Sequence, residues 1–311
     1  MKVRGGLLLQ FAVSAVLLGL LARKVPLRDA GAAFARIRPA TIAASLALSL
    51  VAYWGRARRW SVLLARAGVA LPTARSYCLT LVGTFYGLVT PGRVGEFARV
   101  LHIGLPRSRT LPSVVWDRVA DVVLLEVMAI PAFVLVPAWR GALLGIYLAM
   151  VAVTVAGVVL LDQPAATRAL ARAWPAAAGR LAQWEAGSGG VLRSRAFASS
   201  LLYGVFFYAF GYASAWVLLR DLAPHVSPLL MLGFPVIPLL GNLPIAFGGL
   251  GLREQVSAAV FGQFGAGAAT GTVFSLLWFL TATLLPGIVG LLLTPWARVE
   301  RLETVRPEAR P

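Results

Sequence analysis

The chain has 311 residues, 59% of them hydrophobic and 13% charged, with a mean hydropathy of +0.80, a composition that excludes a water-soluble enzyme. Against 12 Asp and Glu stand 29 Lys and Arg, a net charge of +17, almost all of it Arg set between long uncharged runs. That placement suits anionic headgroups rather than the continuous basic face of a nucleic-acid protein, so nucleic acid is excluded as a partner. One cysteine, Cys78, and two histidines, His102 and His225, exclude a disulfide framework, a Cys-based cluster and an ordinary zinc site; no metal and no cofactor is expected.

A helix needs ~20 apolar residues to cross the hydrocarbon core, and the uncharged runs predict six spans, at 5–22, 39–55, 112–137, 141–161, 196–219 and 269–293. Lys2 and Arg4 precede the first as in a signal sequence, but Arg23 and Lys24 follow where cleavage needs small residues, so it reads as an uncleaved anchor. Arg56, Arg58, Arg59 and Trp60 close the second span, where snorkelling Arg and headgroup-anchoring Trp are the ordinary reading. The stretches 76–104 and 228–262 are broken by Thr90-Pro91-Gly92 and by Gly248-Gly249-Leu250-Gly251, each followed at once by Arg and Glu. Backbone broken at membrane depth must be buried in protein or line a wet cavity. This favours re-entrant hairpins over ordinary spans that end in polar turns, and Pro235, Pro238 and Pro244 add breaks to the second. His102 reads as a plain interfacial residue. Residues 165–184 set Arg168, Arg172 and Arg180 opposite Leu170, Trp174, Leu181 and Trp184, the pattern of an interfacial amphipathic helix, divided at Pro175.

Sidedness follows from Lys and Arg in short loops. The Arg-rich segments 162–195 and 298–311 belong in the cytoplasm, which places both termini inside a cell (inner) membrane, with the first hairpin opening inward and the second outward; loop 23–38, with five basic residues, runs against this. A shift of 158 residues pairs Leu81 with Leu239, Gly83 with Gly241, Glu96 with Glu254 and Gly104 with Gly262 without a gap. The same shift lays span 39–55 near the start of 196–219, and 112–137 on 269–293. The fold class expected is therefore an all-α polytopic membrane protein, with about six transmembrane helices plus two re-entrant helical hairpins in an inverted repeat. Residues 1–311 form a single integral membrane domain, with 1–140 the first repeat, 141–297 the second, and 298–311 a cytoplasmic tail.

Charges inside the apolar regions fall in three clusters: Arg93, Glu96 and Arg99; Asp117, Arg118, Asp121 and Glu126; Arg253 and Glu254. Each costs ~2.5 kcal/mol or more at membrane depth, which makes a functional role the default reading. Asp117 and Asp121 are one helical turn apart with Arg118 near both, whereas Glu126 projects roughly opposite Asp117. The three form either a mutually satisfied structural network or part of a site. Arg93 and Arg253 stand just past Gly-rich breaks, where freed N–H groups favour an anion, and the guanidinium fork suits phosphate. Glu96 and Glu254 either pair with these Arg residues or carry a coupling proton.

At Arg59-Trp60, at GTFYGLVTPGRVGEFARV (83–100) with its Pro-x-Arg-x-Gly-Glu-x-x-Arg core, at SVVWDRVAD (113–121) and at LPIAFGGLGLRE (243–254), the chain resembles the flippase-like membrane family that includes the membrane half of lysylphosphatidylglycerol synthases. The resemblance covers nearly the whole chain. It implies movement of aminoacylated or glycosylated lipids, or of lipid-linked precursors, between leaflets. With Pro311 soon after the last span, no soluble aminoacyl-transfer domain is expected, and a synthase label would be unsafe.

The expected function is translocation of a lipid with an anionic phosphate headgroup: a phospholipid, an aminoacyl-phospholipid or a polyprenyl-phosphate conjugate. Arg93, Arg99, Arg118 and Arg253 would bind lipid phosphate, and Glu96, Glu254, Asp117 and Asp121 would form the coupling or charge network. Pro91, Gly92, Gly95, Gly248, Gly249 and Gly251 would break the hairpins; no residue is expected to be catalytic. The rival reading is a membrane-embedded transferase acting on a lipid, with the carboxylates as acid, base or metal ligands. The partners expected are membrane lipids and a lipid-linked substrate, and a homo-oligomer is left open.

Overall fold

A computed structural model describes residues 37–105, 107–136, 139–241 and 251–297, with Gly31 and Ala35 before them. The expected first span, most of loop 23–38, the breaks at Gly248 and Gly249, Pro244 and the tail lie outside the described residues.

Helix α1 runs over Pro39–Arg66, with proline in its first turn, where a fixed φ is pre-organised for a helix and no N–H is missed. It continues well past the expected end at residue 55: no proline interrupts it, and the stop comes at Ala67 with Gly68 at φ 75°. Helix α2, Thr73–Leu88, ends where Thr90 turns extended (φ −122°, ψ 144°), as the residue before a proline must. The segment Pro91–His102 is a 3-10 helix that folds back along α2. Gly83 and Gly87, one turn apart on α2, make the groove for it. A Cβ at Gly87 would stand 2.7 Å from Glu96 Cγ, and one at Gly83 3.4 Å from Arg99 Cβ. Arg75, near the start of α2, donates to the His102 carbonyl 3.4 Å away, so the two ends of this unit lie together.

Helix α3 spans Arg107–Leu135, with Pro112 and Pro131 inside it. Helix α4, Ala142–Asp162, leaves Leu148, Val153, Val155 and Leu160 exposed, a large apolar face that water would not tolerate on a monomer. Helices α5, Pro164–Ala173, and α6, Ala178–Ser188, flank a short turn at Pro175, so the expected amphipathic segment divides where proline requires, with Leu170 and Trp174 exposed.

Helix α7, Arg195–Leu222, begins on the Ser194 side chain, which accepts from Phe197 N at 3.2 Å. It packs antiparallel along α1: Arg38 and Thr41 bond Asp221 at one end, and Gly55 meets Tyr203 and Phe206 further along. Between these ends, Ser45, Ser49, Ser214 and Thr281 share hydrogen bonds of 2.8–2.9 Å, the small and hydroxylated interface that lets apolar helices associate without a hydrophobic drive. A 3-10 turn, Pro228–Gly233, leads through Pro235 to α8, Val236–Gly241, with Pro238 in its first turn. Helix α9, Leu252–Gln263, starts at Gly251 (φ 84°), and α10, Ala268–Phe279, continues through a π turn, Leu280–Leu284, into α11, Leu285–Leu293.

The described residues are mostly helical, with no strand among them. Three helices in them are long and apolar enough to cross a membrane: Leu143–Asp162, Arg195–Leu222 and Ala268–Trp296. They coincide with the expected spans 141–161, 196–219 and 269–293. The expected span 39–55 lies within a helix of 28 residues, and 112–135 of the expected span 112–137 within one of 29; the apolar character of both is interrupted by the charges that build the site.

Candidate functional site

Three elements carry the charges: α1 supplies Arg56 and Arg59, the 3-10 segment Arg93, Glu96 and Arg99, and α3 Asp117, Arg118 and Asp121. Asp117 is fully buried and receives three guanidinium groups: Arg59 Nε at 2.7 Å, Arg99 Nη2 at 2.5 Å and Arg118 Nη2 at 3.2 Å. Arg59 also reaches Asp121 through Nη1 at 2.8 Å, so one fork spans two carboxylates a helical turn apart on α3. Tyr208 of α7 donates to Asp121 Oδ1 at 2.7 Å. Glu96 also takes three, sharing Arg118 with Asp117: Arg56 at 2.5 Å, Arg93 at 2.8 Å and Arg118 at 3.1 Å. The Arg99 guanidinium also lies 4.3 Å from the centre of the Trp60 ring, and Trp60 donates to Ser113 Oγ at 3.1 Å.

Five guanidinium groups thus surround three carboxylates, an excess of two positive charges. The excess is not evenly placed. The Arg59 side chain has no exposure and that of Arg99 only 2%, whereas those of Arg93 and Arg118 are exposed by 27% and 26%. Arg59, Arg99 and Asp117 form a sealed base that fixes α1, the 3-10 segment and α3 to one another. Arg93 and Arg118 stand above it with charge to offer.

They face a cavity of about 120 Å³, well above the ~10–15 Å³ that one water needs. Its wall includes Arg56, Arg93, Arg118, Asp121 and Arg253, together with Tyr53, Phe207, Tyr208, Tyr212, Trp278 and Phe279. The π turn after α10 contributes Ala282 and Thr283, and Tyr53 donates to the Ala282 carbonyl at 3.1 Å, capturing an acceptor in the irregular helix geometry that favours functional sites.

Arg253 and Glu254 open α9. Glu254 is fully buried and accepts from Gly251 N at 2.7 Å, from Ser275 Oγ at 3.2 Å and from Arg253, whose Nε also reaches Ser275 Oγ at 3.1 Å. The Arg253 guanidinium lies 4.2 Å from the centre of the Phe279 ring. Glu254 is therefore both the partner of Arg253 and the cap of α9, while Arg253 keeps a face on the cavity. Arg93 is the one non-glycine with positive φ, 58°, among the described residues, a backbone state that costs about 1–3 kcal/mol and is retained where surrounding structure enforces it. Gly95 beside it approaches the Tyr86 carbonyl so closely that a Cβ would stand 2.1 Å from the oxygen.

Of the site residues expected from sequence, Arg93, Arg118, Asp121 and Arg253 meet on the cavity wall; Glu96, Asp117 and Glu254 hold them from behind, and Arg99 is not on the wall. Glu126 stays apart, accepting from Thr154 at 2.8 Å. Three readings are corrected. Arg56 and Arg59 do not snorkel: α1 carries them inward to carboxylates. Trp60 is fully buried, not a headgroup anchor. His102 is half-buried and ties the 3-10 segment to the end of the last described helical turn, with Nδ1 2.5 Å from the Ala297 carbonyl. Sequence reading also passed over Tyr208 and the aromatic wall, which carry no charge to mark them. Arg56 and Arg59 had one available signal, the lack of any helix stop between Gly55 and Gly68.

No curated protein matches the chain significantly. A family model described as the lysylphosphatidylglycerol synthase TM region matches residues 7–290. That match takes in most of the chain and every cavity residue named above, and the chain therefore belongs to the family of the lysylphosphatidylglycerol synthase TM region, membrane proteins related to lipid modification or transport.

Proposed function

We propose that the protein translocates a lipid with an anionic phosphate headgroup between the leaflets of the inner membrane, and that it is a transporter and not an enzyme. The observation that carries this reading is the excess of guanidinium over carboxylate around a cavity to which Arg93, Arg118 and Arg253 contribute from distant parts of the chain. Glu96 holds Arg93 and Arg118 in place when the cavity is empty, and an entering phosphate competes for the same forks. The carboxylates of the site are already engaged by Arg, which leaves none placed as a general acid or base for group transfer.

The topology that goes with this function has six spans and two re-entrant hairpins, in inverted repeats over 1–140 and 141–297, with both termini cytoplasmic. Several contacts support it. Gly83 faces Glu96 and Arg99 across the first fold-back, and Gly241, its partner at the 158-residue shift, faces Arg253 at 2.9 Å from a placed Cβ. Helices α1 and α7, equivalent under the same shift, run antiparallel. In this arrangement the Arg-bearing breaks meet near the midplane and the repeats rock around them.

The test is a leaflet assay. In liposomes bearing labelled phosphatidylglycerol, the protein is expected to equilibrate the label between leaflets without changing its mass. Covalent conversion of the lipid without leaflet exchange would overturn the proposal in favour of a transferase.

A further inference from the structure

With Arg253 and Glu254 counted beside the cluster at Glu96 and Asp117, the site holds six guanidinium groups and four carboxylates among the described residues. Each carboxylate is already engaged. Glu96 and Asp117 hold three guanidinium groups apiece, Asp121 accepts from Arg59, Arg118 and Tyr208, and Glu254 holds Arg253 while it caps α9. The surplus of two positive charges therefore has no carboxylate of the site left to match it, and unmatched charge at membrane depth is costly. A phosphodiester such as phosphatidylglycerol carries one negative charge and leaves one of the two uncompensated. A phosphate monoester carries nearly two above about pH 6 and neutralises the site.

The placement of the donors agrees with the count. The side chains of Arg93, Arg118 and Arg253 are exposed by 27%, 26% and 14%, against 4% for Arg56. Those three line the cavity from separate elements, the 3-10 segment, α3 and α9. A terminal phosphate presents three strong acceptor oxygens, one for each guanidinium fork. Esterification of a second oxygen removes a charge and an acceptor together. The other charged groups on the wall are Arg56 and Asp121, and its phenols are Tyr53, Tyr208 and Tyr212; α8, α10 and the π turn contribute no titratable side chain to it.

We infer that the cavity is built for a terminal, dianionic phosphate, the headgroup of a lipid phosphate monoester, and discriminates against phosphodiesters. The inference rests on the phosphate-lipid reading above and narrows it to lipids whose phosphate is esterified once. Phosphatidylglycerol still binds, but more weakly.

The experiment is displacement of labelled phosphatidic acid from the full chain in phosphatidylcholine nanodiscs, by unlabelled phosphatidic acid, phosphatidylglycerol or soluble glycerol phosphate. At about pH 8.5, where the monoester holds both charges, phosphatidic acid should bind roughly tenfold or more tightly than phosphatidylglycerol, as one further charge-assisted hydrogen bond would give. At about pH 5, where it holds one, the preference should largely disappear. Phosphatidylglycerol keeps a single charge throughout, so a titrating group of the protein would move both lipids and leave their ratio unchanged. Arg93→Gln, in which Glu96 keeps Arg56 and Arg118, should weaken phosphatidic acid at the higher pH by roughly tenfold and phosphatidylglycerol by less. Glycerol phosphate should compete only at far higher concentration; competition as strong as that of phosphatidic acid would assign the site to a soluble phosphate ester and overturn the lipid assignment. Equal binding of the two lipids by wild-type protein at both pH values overturns the monoester preference. If Arg93→Gln and Arg253→Gln then lose both lipids alike, the preference fails and the phosphate site stands; if they lose neither, the phosphate reading itself fails.

Discussion

Asp117 and Arg253 are both charged and inside the helical body, yet their substitution should fail in different ways. Asp117 has no exposure and three guanidinium partners; Asp117→Asn leaves Arg59 and Arg99 buried with too little negative charge. Removing one member of a buried pair costs about 3–5 kcal/mol, so the variant should show a lowered unfolding temperature and poor yield in detergent, whatever its transport. Arg253 is different because Glu254 keeps Gly251 N and Ser275 Oγ when the guanidinium is gone. Arg253→Lys should therefore fold and still impair leaflet exchange, since an ammonium cannot offer the bidentate fork, and Arg253→Gln should impair it more. Wild-type exchange by both variants would remove Arg253 from the mechanism. The contrast also marks what sequence could and could not reveal about the site. Asp117, Arg118 and Asp121 were legible as one helical face because their spacing is local. Arg59 was not, since its partners lie 58 and 62 residues away, and a basic residue after an apolar run looks interfacial until the helix is seen to continue.

Among the elements, the break after α2 was legible for a local reason: a proline forces the preceding residue out of the helix, and Thr90 is extended. The start of α1 at Pro39 was legible too, but its far end at Arg66 was not, because the Arg residues after the apolar run look interfacial and only the lack of a helix stop before Gly68 marks the continuation. What positions the 3-10 segment is close backbone approach, and Gly95 is its tightest point. A Cβ there would stand 2.1 Å from the Tyr86 carbonyl oxygen, and neither backbone has room to give. Gly95→Ala should therefore displace the segment from α2 and separate Glu96 from Arg56 and Arg118, with loss of monodisperse protein and of exchange. Gly145→Ala in α4, where a Cβ meets nothing within 4 Å, should behave as wild type. Normal stability and exchange in Gly95→Ala would mean that the fold-back is looser than its contacts imply.

For the whole molecule, the question is whether the two fold-backs enter the membrane from opposite sides, since alternating access around one central cavity depends on it. The hydrogen bond from Arg75 to the His102 carbonyl brings the two ends of the first unit together, and the contact of Gly233 with Val260 does the same for the second. In a Cys78→Ser background, Arg75→Cys and Arg107→Cys should react with an impermeant maleimide from one side of sealed vesicles, and Pro228→Cys and Gln263→Cys from the other. Exposure of Arg107, Pro228 and Gln263 makes their labelling a matter of sidedness and not of burial. Labelling of Arg75→Cys and Arg107→Cys from opposite sides would turn the first unit into a simple span. The repeats would then no longer be inverted, and rocking about the Arg-lined cavity would lose its structural basis. Labelling of all four from one side would leave both fold-backs opening together, a geometry in which the cavity has one entrance and a phosphate lipid bound at Arg93 and Arg253 could not leave toward the other leaflet.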